Sequence, residues 1–198
     1  KNNYCKNPCP TYIGRVFENL DINIITKKCL DLDSTERIVT SDIKQFVLRR
    51  NISRLYFVHS IMKIYNEKFK LYGRGWEKYN LQYKKIGMIK KKRQAIYITN
   101  GICLDFCSQH GNNCLYERPL DIFNSGALLI QRKTYDSELV YGKEYTNHFC
   151  FSSVEDLIII IDAIMTKGIN YYHDLLCLTK KRIHTYQEEN NYKCIRKC

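Results

Sequence analysis

The chain has 198 residues, 44% of them apolar, with ten cysteines and a formal net charge of +12. That length and apolar share give one large domain or two small lobes around an ordinary core, and exclude an intrinsically disordered chain. The longest apolar run, Leu157 to Ile161, is bracketed by Asp156 and Asp162, which excludes a membrane-spanning helix.

In chain order, the first segment opens Lys1-Asn2-Asn3-Tyr4-Cys5 without an apolar leader, as in the mature form of a secreted protein. Asp33 and Glu36 have capping-box spacing at a helix start. From Ser41 to about Leu71 the chain carries Ile43, Phe46, Val47, Ile52, Leu55, Val58, Ile61, Met62 and Tyr65 without Gly or Pro, which predicts a long helix ended by Gly73 and Gly75. Trp76, Tyr79, Tyr83 and Ile86 at three-four spacing predict a second helix, closed by Gly87. Gln94 to Thr99 is the best strand candidate, although so short a segment also suits a continuing helix.

From Glu117 to Cys150 the pattern is less periodic, and Arg118-Pro119, Asn124-Ser125-Gly126 and Tyr141-Gly142 signal turns. Ser152 and Glu155 predict a capping box before Val154, Leu157, Ile158, Ile161, Ile164 and Met165, with Gly168 as the stop. Ile160 fills the outer face as well, which predicts a central helix buried on most sides. Tyr172, Leu175, Leu176, Thr179, Ile183 and Tyr186 stripe a last helix. The segment 41–48 aligns with 152–159, as an internal duplication would leave it. The expected fold is mostly all-α and disulfide-stapled: one compact unit of two similar helical lobes, residues 1–102 and 103–198.

The cysteines carry that expectation. Ten is an even and large number for a reducing compartment, and no Cys-x-x-Cys pair offers a zinc ribbon or thioredoxin-type site. Cys5, Cys9, Cys29, Cys103, Cys107, Cys114, Cys150, Cys177, Cys194 and Cys198 are therefore all expected in disulfides, outside the cell. Each bridge is worth about 2–4 kcal/mol. The pairs Cys5/Cys9, Cys103/Cys107 and Cys194/Cys198 place both sulfurs on one face of a helix, which suits bonds to neighbouring segments rather than within the pair. Sequence leaves the connectivity open.

For binding, the strongest charge feature is Lys84, Lys85, Lys90, Lys91, Lys92 and Arg93, with Tyr79, Tyr83 and Tyr97 nearby. Cations among aromatics suit phosphates and bases, so nucleic acid or an anionic lipid surface is a candidate partner. The alternative is a solvated loop after a helix, whose C-terminus favours Lys. Cys103, Cys107, His110 and Cys114 could surround zinc, but oxidised thiols are no ligands, so no metal is expected. Tyr172-His173-Asp174 resembles the dyad of secreted phospholipases but lacks a calcium loop before it. The histidines His59, His110, His148, His173 and His184 are scattered, and no nucleophile elbow, metalloprotease, P-loop or dinucleotide motif is present. No catalytic residue, enzyme activity or cofactor is expected. Asn51-Ile52-Ser53 is a glycosylation sequon inside a predicted helix.

Paired cysteines with intervening tyrosines, as in Cys177…Tyr186…Cys194 and Cys5-x-x-x-Cys9 followed by Tyr12 and Cys29, resemble the layout of the bicycle proteins, salivary-gland effectors of gall-forming aphids. The resemblance implies a secreted, non-enzymatic effector that manipulates plant tissue through an unknown host macromolecule, most simply a protein. It transfers no site residue. A secreted or surface adhesion protein of an AT-rich parasite fits the Lys, Asn and Ile bias as well.

Overall fold

The computed structural model describes residues 8–15, 43–79, 81–85, 90–106 and 114–189. It corrects the expected fold class. The chain is not an all-α bundle but an α/β protein built on a six-stranded, all-parallel sheet. In chain order the elements are β1 (Cys9–Arg15), α1 (Ile43–Tyr65), β2 (Lys70–Arg74), β3 (Lys84–Lys85), α2 (Lys90–Asn100), β4 (Gly101–Asp105), α3 (Glu117–Ser125), β5 (Leu128–Arg132), α4 (Ser137–Tyr141), α5 (Lys143–Phe149), β6 (Cys150–Phe151), α6 (Val154–Lys167) and α7 (His173–Glu189). Short 3-10 turns span Asn66–Lys68, Trp76–Tyr79 and Ile169–Tyr172.

The strands β4 and β5 escape a periodicity search because they are buried on both faces, whereas β2 alternates. In β4 all five residues are buried, and in β5 all but Arg132. Parallel strands covered by helices lose the alternation that marks a half-exposed strand and leave only short apolar runs. The predicted strand Gln94–Thr99 lies instead inside α2. There Thr99 Oγ1 donates to the Ala95 carbonyl (2.8 Å) and Asn100 Nδ2 to that of Ile96 (3.0 Å), so both polar side chains serve the turn behind them. Gly101, at φ 75°, takes the left-handed conformation that turns the end of α2 into β4.

The first predicted helix is found, but it ends at Tyr65; Leu71 belongs to β2. The second keeps one 3-10 turn, after which Lys84–Lys85 pairs with β2. Arg118-Pro119, expected in a turn, opens α3. The capping box of α6 is shifted by one residue: Ser153 Oγ accepts from Asp156 N (3.1 Å), and Asp156 Oδ2 accepts from Ser153 N (3.2 Å). Gly168 closes that helix, whose Ile159 is 67% exposed, so α6 is covered on one side only.

The sheet draws strands from both expected lobes, and the division after residue 102 falls inside β4. Its core includes an aromatic chain: Tyr12 on Phe106 (ring centroids 4.4 Å), Phe106 on Phe57 (5.3 Å) and Phe57 on Phe151 (5.2 Å). Burying each such ring is worth about 1.5–3 kcal/mol.

The expected disulfides are corrected with the fold. No disulfide joins any two described residues, and Cys103, Cys114, Cys150 and Cys177 are free thiols. Cys103 and Cys114 are core residues, and Cys177 lies on the exposed face of α7. The Cys9 sulfur lies 2.7 Å from the Lys68 carbonyl oxygen, between β1 and the turn before β2. Cys5, Cys29, Cys107, His110, Cys194, Cys198, the Asp33/Glu36 box, Ser41 and Gly87 lie outside the described residues. Among the described residues no helix is long and apolar enough to cross a membrane.

Candidate anion-binding edge of the sheet

The strand order β3-β2-β1-β4-β5-β6 puts the first strand at the centre. The chain winds outward from β1 through β2 to β3, then crosses to β4 and winds outward through β5 to β6. Such a sheet has a switch point between β1 and β4, and open α/β sheets generally bind ligands at the carboxyl ends of the strands there.

The residues that end the strands are mostly basic. Across the sheet they are Lys85, Arg74, Arg15, Asp105, Arg132 and Phe151, so every strand but β4 and β6 ends on a basic residue, although the Arg132 guanidinium is held by Ser53 Oγ (3.2 Å) beside the Phe57 ring. Arg15 and Arg74 are register partners on adjacent strands. With strands about 4.8 Å apart, β3 to β5 covers about 19 Å. On the same edge α2 begins, because the chain rises through β3 and must descend through α2 to start β4. Lys90, Lys91, Lys92 and Arg93 open α2, with no acidic residue in its first turn. A helix N-terminus carries partial positive charge and favours anions, so lysines there oppose the helix dipole. A bound anion removes that conflict.

Beneath the edge lies a buried polar network. Asp105, fully buried at the end of β4, accepts from Arg118 Nη1 (2.9 Å), the Tyr116 hydroxyl and Gln131 Nε2 (3.1 Å). Arg118 also lies over the Tyr12 ring, 5.9 Å from its centroid. Arg93 reaches from α2 to α3, 3.2 Å from Glu117 and 3.7 Å from Asp121. Between these pairs the hydroxyls of Tyr12 and Tyr97 and the Nε of Arg93 are buried without a hydrogen-bond partner. Burial pushes the Tyr97 phenol well above its ordinary pKa, so it remains a donor.

The basic segment expected from sequence is therefore divided between two elements. Lys84 and Lys85 form β3, while Lys90, Lys91, Lys92 and Arg93 open α2, so it flanks one crossover at the carboxyl edge rather than trailing a helix. Its aromatic companions do not form a stacking surface: Tyr79 and Tyr97 are buried, and Tyr83 is half-buried. Of the zinc candidates, Cys103 sits in β4, and burial raises its thiol pKa; Cys114 N donates to Asp136 Oδ1 (2.9 Å), and burial, then Asp136, raise its thiol. Among the described residues no group of three or more His, Cys, Asp or Glu could hold a metal. His173 Nδ1 and Asp174 form a 3.3 Å contact on the surface of α7, with the carboxylate fully exposed. Asn51 of the sequon is fully buried, out of reach of a glycan in the folded chain. Asp105 was not singled out from sequence, Arg118 was read only as part of a turn and Tyr12 only as a tyrosine after a cysteine pair; joining them needs the strands first.

Comparison with known proteins finds no matching family model, no matching curated protein and no matching solved structure.

Proposed function

We propose that the protein is a non-enzymatic binder of nucleic acid that holds the phosphate backbone along the carboxyl edge of its sheet. The observation that carries this reading is the basic ends of the adjacent strands β1, β2 and β3 beside a helix that opens on Lys90, Lys91, Lys92 and Arg93. The net charge of +12 supplies long-range attraction for a polyanion. Several cations in a row suit repeating phosphates better than a single small anion does.

The test is binding of a single-stranded oligonucleotide of about 12 nucleotides, followed by fluorescence anisotropy. With about four phosphates neutralised, affinity falls about fifty-fold between 50 and 200 mM salt. Reversing Lys90, Lys91 and Lys92 to Glu weakens binding and flattens that salt dependence; reversing Lys180 and Lys181 on α7 does neither. Absence of binding, a flat salt profile, or capture by phosphatidylserine vesicles in preference to the oligonucleotide refutes the reading.

Where the ligand is met is a separate proposal. The resemblance to salivary effectors supports secretion into host tissue, with host nucleic acid as the macromolecule engaged. The free thiols of Cys103, Cys114, Cys150 and Cys177 give no disulfide support to an oxidising compartment, so secretion rests on the resemblance. Finding the protein in secreted fluid tests that part, and finding it only inside the producing cell refutes it.

A further inference from the structure

We propose that the cluster of Tyr12, Tyr97, Arg93 and Arg118 is an end-group subsite that takes the terminal phosphomonoester of a nucleic-acid strand lying along the sheet edge. The inference rests on the nucleic-acid reading and specifies which part of the ligand lies at the switch point.

Three observations converge on this cluster. The first is its place. Tyr12 belongs to β1; Arg118 is fixed to Asp105 at the end of β4, so the group lies at the β1–β4 switch point. The second is an imbalance of hydrogen-bonding capacity. The Tyr12 hydroxyl, the Tyr97 hydroxyl and Arg93 Nε are three buried donors that make no hydrogen bond, although Tyr12 is 0% and Tyr97 2% exposed; the buried Asp121 Oδ2, 3.7 Å from Arg93 Nη2, is a nearby carboxylate oxygen not bonded to Arg118, Tyr116 or Gln131. Asp105 is already taken by Arg118, Tyr116 and Gln131, so it cannot serve them. Buried donors are rarely left bare, and a ligand rich in acceptor oxygens is their complement. The third is partial exposure: the Arg93 and Arg118 side chains are 18% and 20% exposed, so this buried cluster lies close to the surface.

The charge balance selects among acceptors. Arg118 is opposed by Asp105, while Arg93 faces Asp121 at 3.7 Å and the outlying Glu117, 67% exposed. The long Arg93–Asp121 contact leaves this guanidinium able to turn to a phosphate. Arg93 and Tyr97 lie four residues apart on α2 and so present one face, one turn apart. A phosphomonoester brings three terminal oxygens where a backbone diester brings two, which matches the donors better. The cations at the mouth of α2 then hold the phosphates that follow.

The test compares three strands of about 12 nucleotides, one with a 5′-phosphate, one with a 3′-phosphate and one with neither, against the wild type, Tyr97→Phe and Tyr12→Phe. The wild type is expected to prefer one phosphorylated end by about tenfold or more, as charge-assisted hydrogen bonds give. Tyr97→Phe and Tyr12→Phe lose that preference but still bind the unphosphorylated strand as the wild type does. Inorganic phosphate at millimolar concentration abolishes the end preference in the wild type only. If all three strands bind the wild type equally, or if both variants weaken every strand alike, the subsite is refuted while the edge-binding reading stands. If no strand binds, both fail together.

Discussion

The two flanks of Asp105 treat their polar groups in opposite ways. Toward β5 the buried donors of Gln131, Tyr141 and Tyr145 are matched, although the Thr146 hydroxyl is not. Gln131 Nε2 donates to Asp105 (3.1 Å) and to the Cys114 carbonyl (2.8 Å). The Tyr141 hydroxyl lies 2.7 Å from Gln131 Oε1 and 2.8 Å from that carbonyl, and the Tyr145 hydroxyl donates to the Leu129 carbonyl (2.8 Å). Toward β1 and α2, tyrosines equally buried leave their hydroxyls bare. Burial is the same on both flanks, so it does not separate core from site; hydrogen-bond satisfaction does. A saturated network rigidifies the fold, whereas an unsaturated one costs stability that only a ligand returns.

The largest contrast expected from the saturated flank is in thiol reactivity. Cys103 lies in β4, and burial raises its pKa well above the ordinary value; Cys150 is pushed up to about 12 by burial. Both stay protonated through neutral pH and gain thiolate only as the pH climbs toward those raised values. With Cys177 exposed, a maleimide in the native state should label it at least about a thousandfold faster than Cys103, because the buried thiol waits on an opening that costs several kcal/mol. Peptide mapping after timed quenching measures the ratio. Comparable rates would mean that the β4–β6 flank is loose and that the contrast is false.

Next is the charge at the junction. Asp105→Ala leaves the Arg118 guanidinium and the donors of Tyr116 and Gln131 without their common acceptor. The expected loss is about 3–5 kcal/mol in urea unfolding, the usual result of removing one partner of a buried pair. Tyr141→Phe comes below it, at about 1–2 kcal/mol, since Gln131 and Cys114 each lose a satisfied contact. A Tyr141→Phe variant as stable as the wild type would remove the distinction between the flanks.

This contrast was out of reach of the sequence for a definite reason. Helical periodicity locates α1, α6 and α7, because their apolar residues recur on one face. The strands Gly101–Asp105 and Leu128–Arg132 have no such face; they sit between layers of helix and look like fragments of helix or loop. Without them the cysteines had no sheet to be buried in, and disulfides were the natural account of ten sulfurs. The basic segment was legible as charge, since Lys90, Lys91, Lys92 and Arg93 are consecutive, but not as one side of a crossover. Tyr97 was visible only as an aromatic near cations; that its hydroxyl is bare follows from the placement of Arg93, Arg118 and Asp105 on three separate elements.

The smallest expected effect is the most diagnostic. Tyr97→Phe deletes a hydroxyl that makes no hydrogen bond and keeps the buried ring. Removing an unsatisfied buried polar atom without changing shape should leave stability within about 0.5 kcal/mol of the wild type or raise it by up to about 1 kcal/mol. Tyr141→Phe makes the same chemical change and should lower stability, so the pair of unfolding midpoints gives the sign of the difference directly. Stability gained together with end preference lost would identify Tyr97 as a residue kept for a ligand at the fold's expense. If Tyr97→Phe instead destabilises as much as Tyr141→Phe, its hydroxyl has a partner in the folded chain, and the donor surplus beneath the carboxyl edge loses its main member.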